Sequence, residues 1–235
     1  MAEKLYTIPV NEAFEENCEC PICSMYKKLE DDSISFMMGA AYMEDDIRMA
    51  TDEKGFCRPH LKMLMQEKNR LGLALILKTH LDRQKKDALK YRDKAVKGKA
   101  LLKKPEECEL AKWAREASAR CYICDRIEVM FPRYVDTVVL LYKKDAEFRE
   151  KYKNCKGFCQ EHFGMLISKG QEHMSGDELN TFVQLTLQLY TDNIQRLADD
   201  LEWFTDKFDY RYKDAPWKNS RDAIERGATK TNGIL

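Results

Sequence analysis

Apolar positions recur at helical spacing along most of the chain. Ile34, Met37, Met38, Ala41 and Ile47 predict a helix over 33–51. Leu61, Leu64, Leu71, Leu75 and Leu81 stripe a longer helix, and Pro59 stands where a first-turn proline belongs. Val183, Leu187, Tyr190, Ile194, Leu197, Leu201, Phe204 and Phe208 alternate steps of four and three, a seam of coiled-coil type. Ser175 and Glu178, just ahead of it, have capping-box spacing. The seam is read as packing inside the protein's own bundle, with an intermolecular coiled coil as the alternative.

Composition supports helices. Gly and Pro are few, 10 and 6 in 235 residues, and 34% of the residues are charged. The predicted class is therefore all-α: a helical bundle in which a long C-terminal helix packs across two repeats. The 40 basic and 40 acidic residues cancel, so net charge steers the chain to neither nucleic acid nor membrane. No basic head with an apolar run opens the chain, and the longest apolar piece, Leu71 to Leu77, is far too short to span a bilayer. A cytoplasmic location is expected, with no membrane partner. Nine cysteines in that setting read as metal ligands and buried thiols rather than disulfides.

The chain repeats itself. Cys20-Pro21-Ile22-Cys23 returns as Cys121-Tyr122-Ile123-Cys124, at an offset of 101. Lys54-Gly55-Phe56-Cys57-Arg58-Pro59-His60 returns as Lys156-Gly157-Phe158-Cys159-Gln160-Glu161-His162, at an offset of 102. The likeness continues through Leu64 and Leu166, so the repeat is a structural unit as well as a ligand pattern. The expected organisation is a first repeat over 1–97, a linker over 98–107 and a second repeat over 108–176. A long helix over 177–210 and an arm or tail over 211–235 follow.

Each repeat carries a C-x-x-C and a C-x-x-H, a complete set for a tetrahedral metal. The expected ligands are Cys20, Cys23, Cys57 and His60 in one site, and Cys121, Cys124, Cys159 and His162 in the other. The pairs are separated by 33 and 34 residues, enough for a helix to leave and return. Each C-x-x-C is read as a tight turn, and each C-x-x-H as a helix start with Cys and His on one face. Gly55 and Gly157 allow a sharp turn just before the ligand. Three thiolates and one neutral imidazole around zinc carry a charge of about −1 and leave no open position for catalytic water. Two structural zinc ions are expected, with iron–sulfur as the alternative.

Cys18, Cys108 and Cys155 fall outside the pattern and read as ordinary thiols. His80 and His173 read as surface or capping residues. Asp45-Asp46 and Asp199-Asp200 are adjacent, so they point different ways on a helix and read as charged surface. No phosphate loop, nucleophile elbow or His-Glu-x-x-His is present, and no catalytic residue is assigned. The basic run over 78–104 holds one aromatic residue, Tyr91, which gives nucleic acid no stacking platform.

The repeated C-P-x-C … G-F-C-x-x-H pattern resembles a bacterial family of cytoplasmic proteins with no assigned activity. The closing residues Phe208-Asp209-Tyr210-Arg211, Pro216-Trp217 and Arg221-Asp222-Ala223 extend the likeness over nearly the whole chain. Tyr122 departs from the proline of the pattern. The resemblance implies metal sites at the eight residues above and an ordered closing segment anchored by Trp217. Three functions stay open: a non-enzymatic binding or adaptor protein with structural zinc, a metal- or thiol-based sensor or redox protein, and a nucleic-acid-associated regulator using 78–104.

Overall fold

The computed structural model describes residues 6–92 and 107–233. Among them eleven α-helices follow one another without a strand: α1 (Thr7–Glu15), α2 (Pro21–Met38), α3 (Asp45–Lys54), α4 (Arg58–Gln66), α5 (Arg70–Leu89), α6 (Glu109–Ala119), α7 (Tyr122–Lys144), α8 (Ala146–Asn154), α9 (Gln160–His173), α10 (Gly176–Asp206) and α11 (Ala223–Asn232). Short 3-10 turns cover Ala41–Met43 and Tyr210–Tyr212. The chain is all-α, as composition and periodicity predict. No described helix is long and apolar enough to cross a membrane.

Several local expectations are corrected. The longer helix striped by Leu61 to Leu81 is two helices, α4 and α5, broken between Gln66 and Arg70, and Leu71 and Leu81 of the stripe are exposed. The helix expected over 33–51 is two helices, α2 and α3, broken between Met38 and Asp45. The two C-x-x-C stretches are first turns of helices rather than free turns. Ser24 N–H donates to the Cys20 carbonyl at 3.1 Å, and Asp125 N–H donates to that of Cys121 at 3.1 Å. Pro21 suits this, because the N–H it lacks would have no helical acceptor at the first position.

The chain divides into two compact units: Met1–Lys28 with Met130–Leu235, and Leu29–Val129. Their borders fall inside α2 and α7, so the units do not coincide with the sequence repeats. Residues 98–106 of the expected linker lie outside the described residues.

The first unit is built on aromatic residues. Phe14 of α1 meets Phe148 edge-on at 4.9 Å and stacks on Tyr152 at 5.7 Å. Tyr142 and Phe182 close over Tyr152 at 5.1 and 5.8 Å. The one polar atom carried in by the fully buried Tyr152, its hydroxyl, is paired with Thr186 Oγ1 at 2.8 Å.

α10 packs on α9 and α11 in the same unit. Its buried face is not the seam expected from spacing. Phe182, Thr186 and Leu197 are buried, whereas Leu187 and Ile194 are exposed at 41% and 36%. Phe208 lies beyond the helix end. An α-helix turns every 3.6 residues, so a 3.5-residue seam drifts around a helix that does not supercoil. Thr186 and Asn193 occupy the inner stripe because their polar atoms bond to Phe182 O and Leu189 O within the helix. The capping box does not form: Ser175 makes no side-chain cap, and Glu178 pairs with Lys143 at 2.9 Å.

The second unit buries Leu64 of α4, Leu73 and Ile76 of α5, and Met37 and Met38 of α2. Asn69 starts α5 by accepting from Gly72 N–H at 2.9 Å and donating to Met38 O at 2.9 Å. The closing segment is ordered. Trp203 donates to Pro216 O at 3.0 Å, and Trp217 lies between Phe204 and the Lys207 ammonium.

Candidate metal centres

All four ligand pairs stand at helix N-termini, with Cys just before the helix and the second ligand at its third residue. Cys20/Cys23 open α2, Cys57/His60 open α4, Cys121/Cys124 open α7 and Cys159/His162 open α9. The carbonyls of Cys57 and Cys159 accept the first helical bonds, at 2.9 and 2.8 Å. Each Cys therefore holds the place of an N-capping residue. The free N–H groups and the positive end of the helix dipole favour a thiolate there.

The structure brings these pairs together across the repeats. Cys20, Cys23, Cys159 and His162 form one cluster, here site A. Cys57, His60, Cys121 and Cys124 form the other, site B. Within each, the four ligand atoms lie within 4.8 Å of one another. The eight residues are those expected from the sequence, but the expected pairing is overturned: each C-x-x-C joins the C-x-x-H of the other repeat. Helix length favours this pairing. From Cys20 the 18 residues of α2 carry the chain about 27 Å, and the 10 residues of α3 return it about 15 Å at most. The 23-residue α7 and 9-residue α8 leave a larger shortfall. For a C-x-x-H to return to the C-x-x-C of its own repeat, the short connectors beside α3 and α8 would have to span the difference.

In site A, His162 Nδ1 lies 3.6 Å from Cys20 Sγ, 3.2 Å from Cys23 Sγ and 3.2 Å from Cys159 Sγ, and the Cys23 and Cys159 sulfurs are 3.6 Å apart. In site B, His60 Nδ1 lies 3.2 Å from Cys57 Sγ, 3.2 Å from Cys121 Sγ and 3.4 Å from Cys124 Sγ, and the Cys57 and Cys124 sulfurs are 3.8 Å apart. Both imidazoles point Nδ1 inward.

The clusters hold ionised and protonated thiols together. In site A, hydrogen bonds from the Cys20 and Cys23 thiols hold Cys159 far below the usual thiol range. The same bond to Cys159 pushes Cys23 up. Burial pulls His162 down, but its hydrogen bonds with Cys159 and Cys20 more than offset it and raise it to about 9. In site B, burial opposes ionisation of Cys121, yet His60 and backbone N–H groups bring it down to about 6. Burial raises Cys124 and Cys57.

The sites differ in their surroundings. All four ligands of site A are buried, whereas Cys57 and Cys124 of site B are half-exposed. His60 Nε2 in site B meets Glu30 Oε1 at 3.1 Å, a carboxylate placed to orient the imidazole toward an ion the cluster could hold. In site A the His162 ring instead packs on Phe131 at 5.5 Å. Glu30 and Phe131 stand at the 101-residue offset of the duplication, so one position touches the histidine in both repeats but has diverged. Neither residue was singled out from the sequence, because Glu in one repeat against Phe in the other leaves no shared signal in the alignment.

Gly55 and Gly157 carry φ of +63° and +74°. A Cβ on Gly55 would stand 2.4 Å from His80 Nε2, and one on Gly157 would stand 2.7 Å from Leu189 O. Both the backbone angle and the close approach require glycine there. His80 Nδ1–H donates to Asp52 O at 2.8 Å, a supporting role under site B.

The remaining chemistry stays apart. Burial pushes Cys18 up to about 11 and Cys155 to about 12, and neither belongs to a cluster, nor does Cys108. Asp136, Glu172 and His173 converge, but the Lys169 ammonium lies 3.2 Å from Asp136 and 2.8 Å from Glu172, where a cation would have to sit. Asp200, read as surface, is largely covered and pairs with Arg226 at 2.9 Å.

A family model described as "Family of unknown function (DUF6062)" matches residues 1–235, and the chain belongs to that family. No curated protein and no solved structure matches the chain.

Proposed function

We propose that this family member is a non-enzymatic binding or adaptor protein whose helices are pinned by two structural zinc ions. The spacing of the ligand atoms carries the reading. Bonds of about 2.3 Å to sulfur and 2.0–2.1 Å to nitrogen place tetrahedral sulfurs roughly 3.8 Å apart, and sulfur and nitrogen roughly 3.6 Å apart. The sulfur pairs at 3.6 and 3.8 Å match this, and the sulfur–nitrogen distances of 3.2–3.6 Å come close. An iron–sulfur cluster spreads its ligands over several metal atoms, which suits a 4.8 Å set less well. Three Cys and one His fill four positions and leave none for substrate or water, so the zinc would supply cross-linking rather than catalysis. A reducing, cytoplasmic location suits thiolate ligands kept free of disulfides.

Metal analysis of protein purified without added metal tests the reading. Two zinc equivalents per chain and a colourless solution are expected; iron with a brown absorbance overturns it.

The half-exposed Cys57 and Cys124 favour a second reading, in which site B is an exchangeable, sensing site. Nucleic acid is the partner we favour least. In the described part of the basic run, Lys78 pairs with Asp82, and Arg83 and Lys90 with Asp87. Residues 93–104 of that run lie outside the described residues.

A further inference from the structure

One buried cation stands behind site A and belongs to neither repeat. Lys230, near the end of α11, is 1% exposed. Its ammonium donates to Glu19 O at 2.5 Å and to Lys156 O at 2.6 Å, and lies 3.5 Å from Glu19 Oε2. Glu19 immediately precedes Cys20, and Lys156 begins the Lys-Gly-Phe-Cys stretch that ends on Cys159. One side chain thus ties the backbones of both segments that bring ligands to site A. Glu19 is held in turn by Arg196 at 2.5 Å, and α11 is fixed to α10 by Arg226 on Asp200.

Three residues on, the chain lies over the sulfurs themselves. Gly233 ends α11 in the left-handed region at φ +66°. A Cβ there would stand 3.1 Å from Cys23 Sγ and 3.7 Å from Cys159 Sγ. Backbone without a side chain is what this position admits. Cys20, Cys23 and Cys159 are exposed by 2% or less.

We propose that Lys230–Gly233 is a clasp over site A, with Lys230 as its positioning residue: metal enters or leaves site A only when this end of α11 lifts. The inference rests on the metal-binding reading above. It makes the two sites kinetically unequal. Site B, with two half-exposed thiolates, exchanges its ion directly. Site A loads before the clasp closes and then retains its ion.

The test uses the full chain loaded with zinc and mixed with an excess of a chromophoric chelator. Native protein is expected to release one equivalent quickly and one slowly, and a Cys57→Ser variant, lacking site B, to show the slow phase alone. Lys230→Met should speed the slow phase at least tenfold and leave the fast phase unchanged. Iodoacetamide labelling of Cys23 and Cys159 should rise with it. A chain shortened to end at Lys230 keeps the anchor but removes Gly233. It should also speed the slow phase, with unchanged urea stability, and it decides the matter if Lys230→Met does not fold. Equal release rates from both sites of the native protein, or a slow phase unmoved in the shortened chain, overturn the clasp while leaving two bound zinc ions standing. Native protein that binds no zinc removes the metal reading, and the clasp with it.

Discussion

Cys23 and Cys159 lie 136 positions apart in the chain, yet their sulfurs are 3.6 Å apart in one site. Each ligand pair is local and each site is not. A pair of substitutions therefore has a different outcome according to whether its members share a site or a repeat.

Cys23→Ser with Cys159→Ser should cost one zinc and leave the other. Cys23→Ser with Cys57→Ser, which touches one repeat but both sites, should cost both. Zinc counted by mass spectrometry of the native protein separates the two. A protein in which the second pair still holds one full equivalent would restore the local pairing.

Glu30 orients His60 and raises its basicity through the 3.1 Å contact at Nε2, after the larger effect of the Cys121 thiolate. Glu30→Gln should weaken zinc binding at site B by about 10–100-fold and leave site A unchanged. Competition against a chelator of known affinity, in a Cys159→Ser background that isolates site B, reads this directly.

Gly157→Ala places a Cβ against the Leu189 carbonyl and forces an L residue to φ +74°. The expected loss is roughly 1–3 kcal/mol. Gly55→Ala should cost less, because its Cβ meets the movable His80 ring rather than backbone. Urea unfolding of the zinc-loaded proteins ranks the two; equal or reversed losses would contradict the packing described.

Zinc uptake should release protons. Cys23, Cys57 and Cys124 have their thiols pushed up in the metal-free clusters, so they carry protons at neutral pH that the ion must displace. His162, raised to about 9, adds another. Affinity should accordingly rise with pH, steepest below about 6, where Cys121 also holds a proton, and less steeply above about 9, where His162 has lost its own. Calorimetric titrations in buffers of different ionisation enthalpy give the proton count.

Much of the site was legible before the fold. The duplication of C-x-x-C and C-x-x-H picks out eight residues, and all eight stand in the two clusters. Gly55 and Gly157 announce their backbone angles. Glu30, Lys230 and Gly233 were not legible as site residues. A carboxylate that meets an imidazole 30 positions away, or an ammonium that caps two carbonyls in distant segments, leaves no periodic trace.

The sequence by itself determined the helical class, the candidate ligand residues and the starts of the two helices that carry the C-x-x-H pairs. These depend on side-chain spacing and N-terminal residue types, which act within one or two turns. Tertiary structure alone decided which pairs meet. Ligand chemistry is the same for either pairing, and a fourfold longer loop costs only about 1.2 kcal/mol in closure entropy, too little to choose. The choice came from the packing of the helices, which sets Cys20 and Cys23 beside Cys159 and His162, and Cys121 and Cys124 beside Cys57 and His60; the lengths of α2 and α7 favour it. The duplicated Lys-Gly-Phe-Cys-x-x-His segment thus opens a helix in its own repeat and supplies ligands to a site shared with the other.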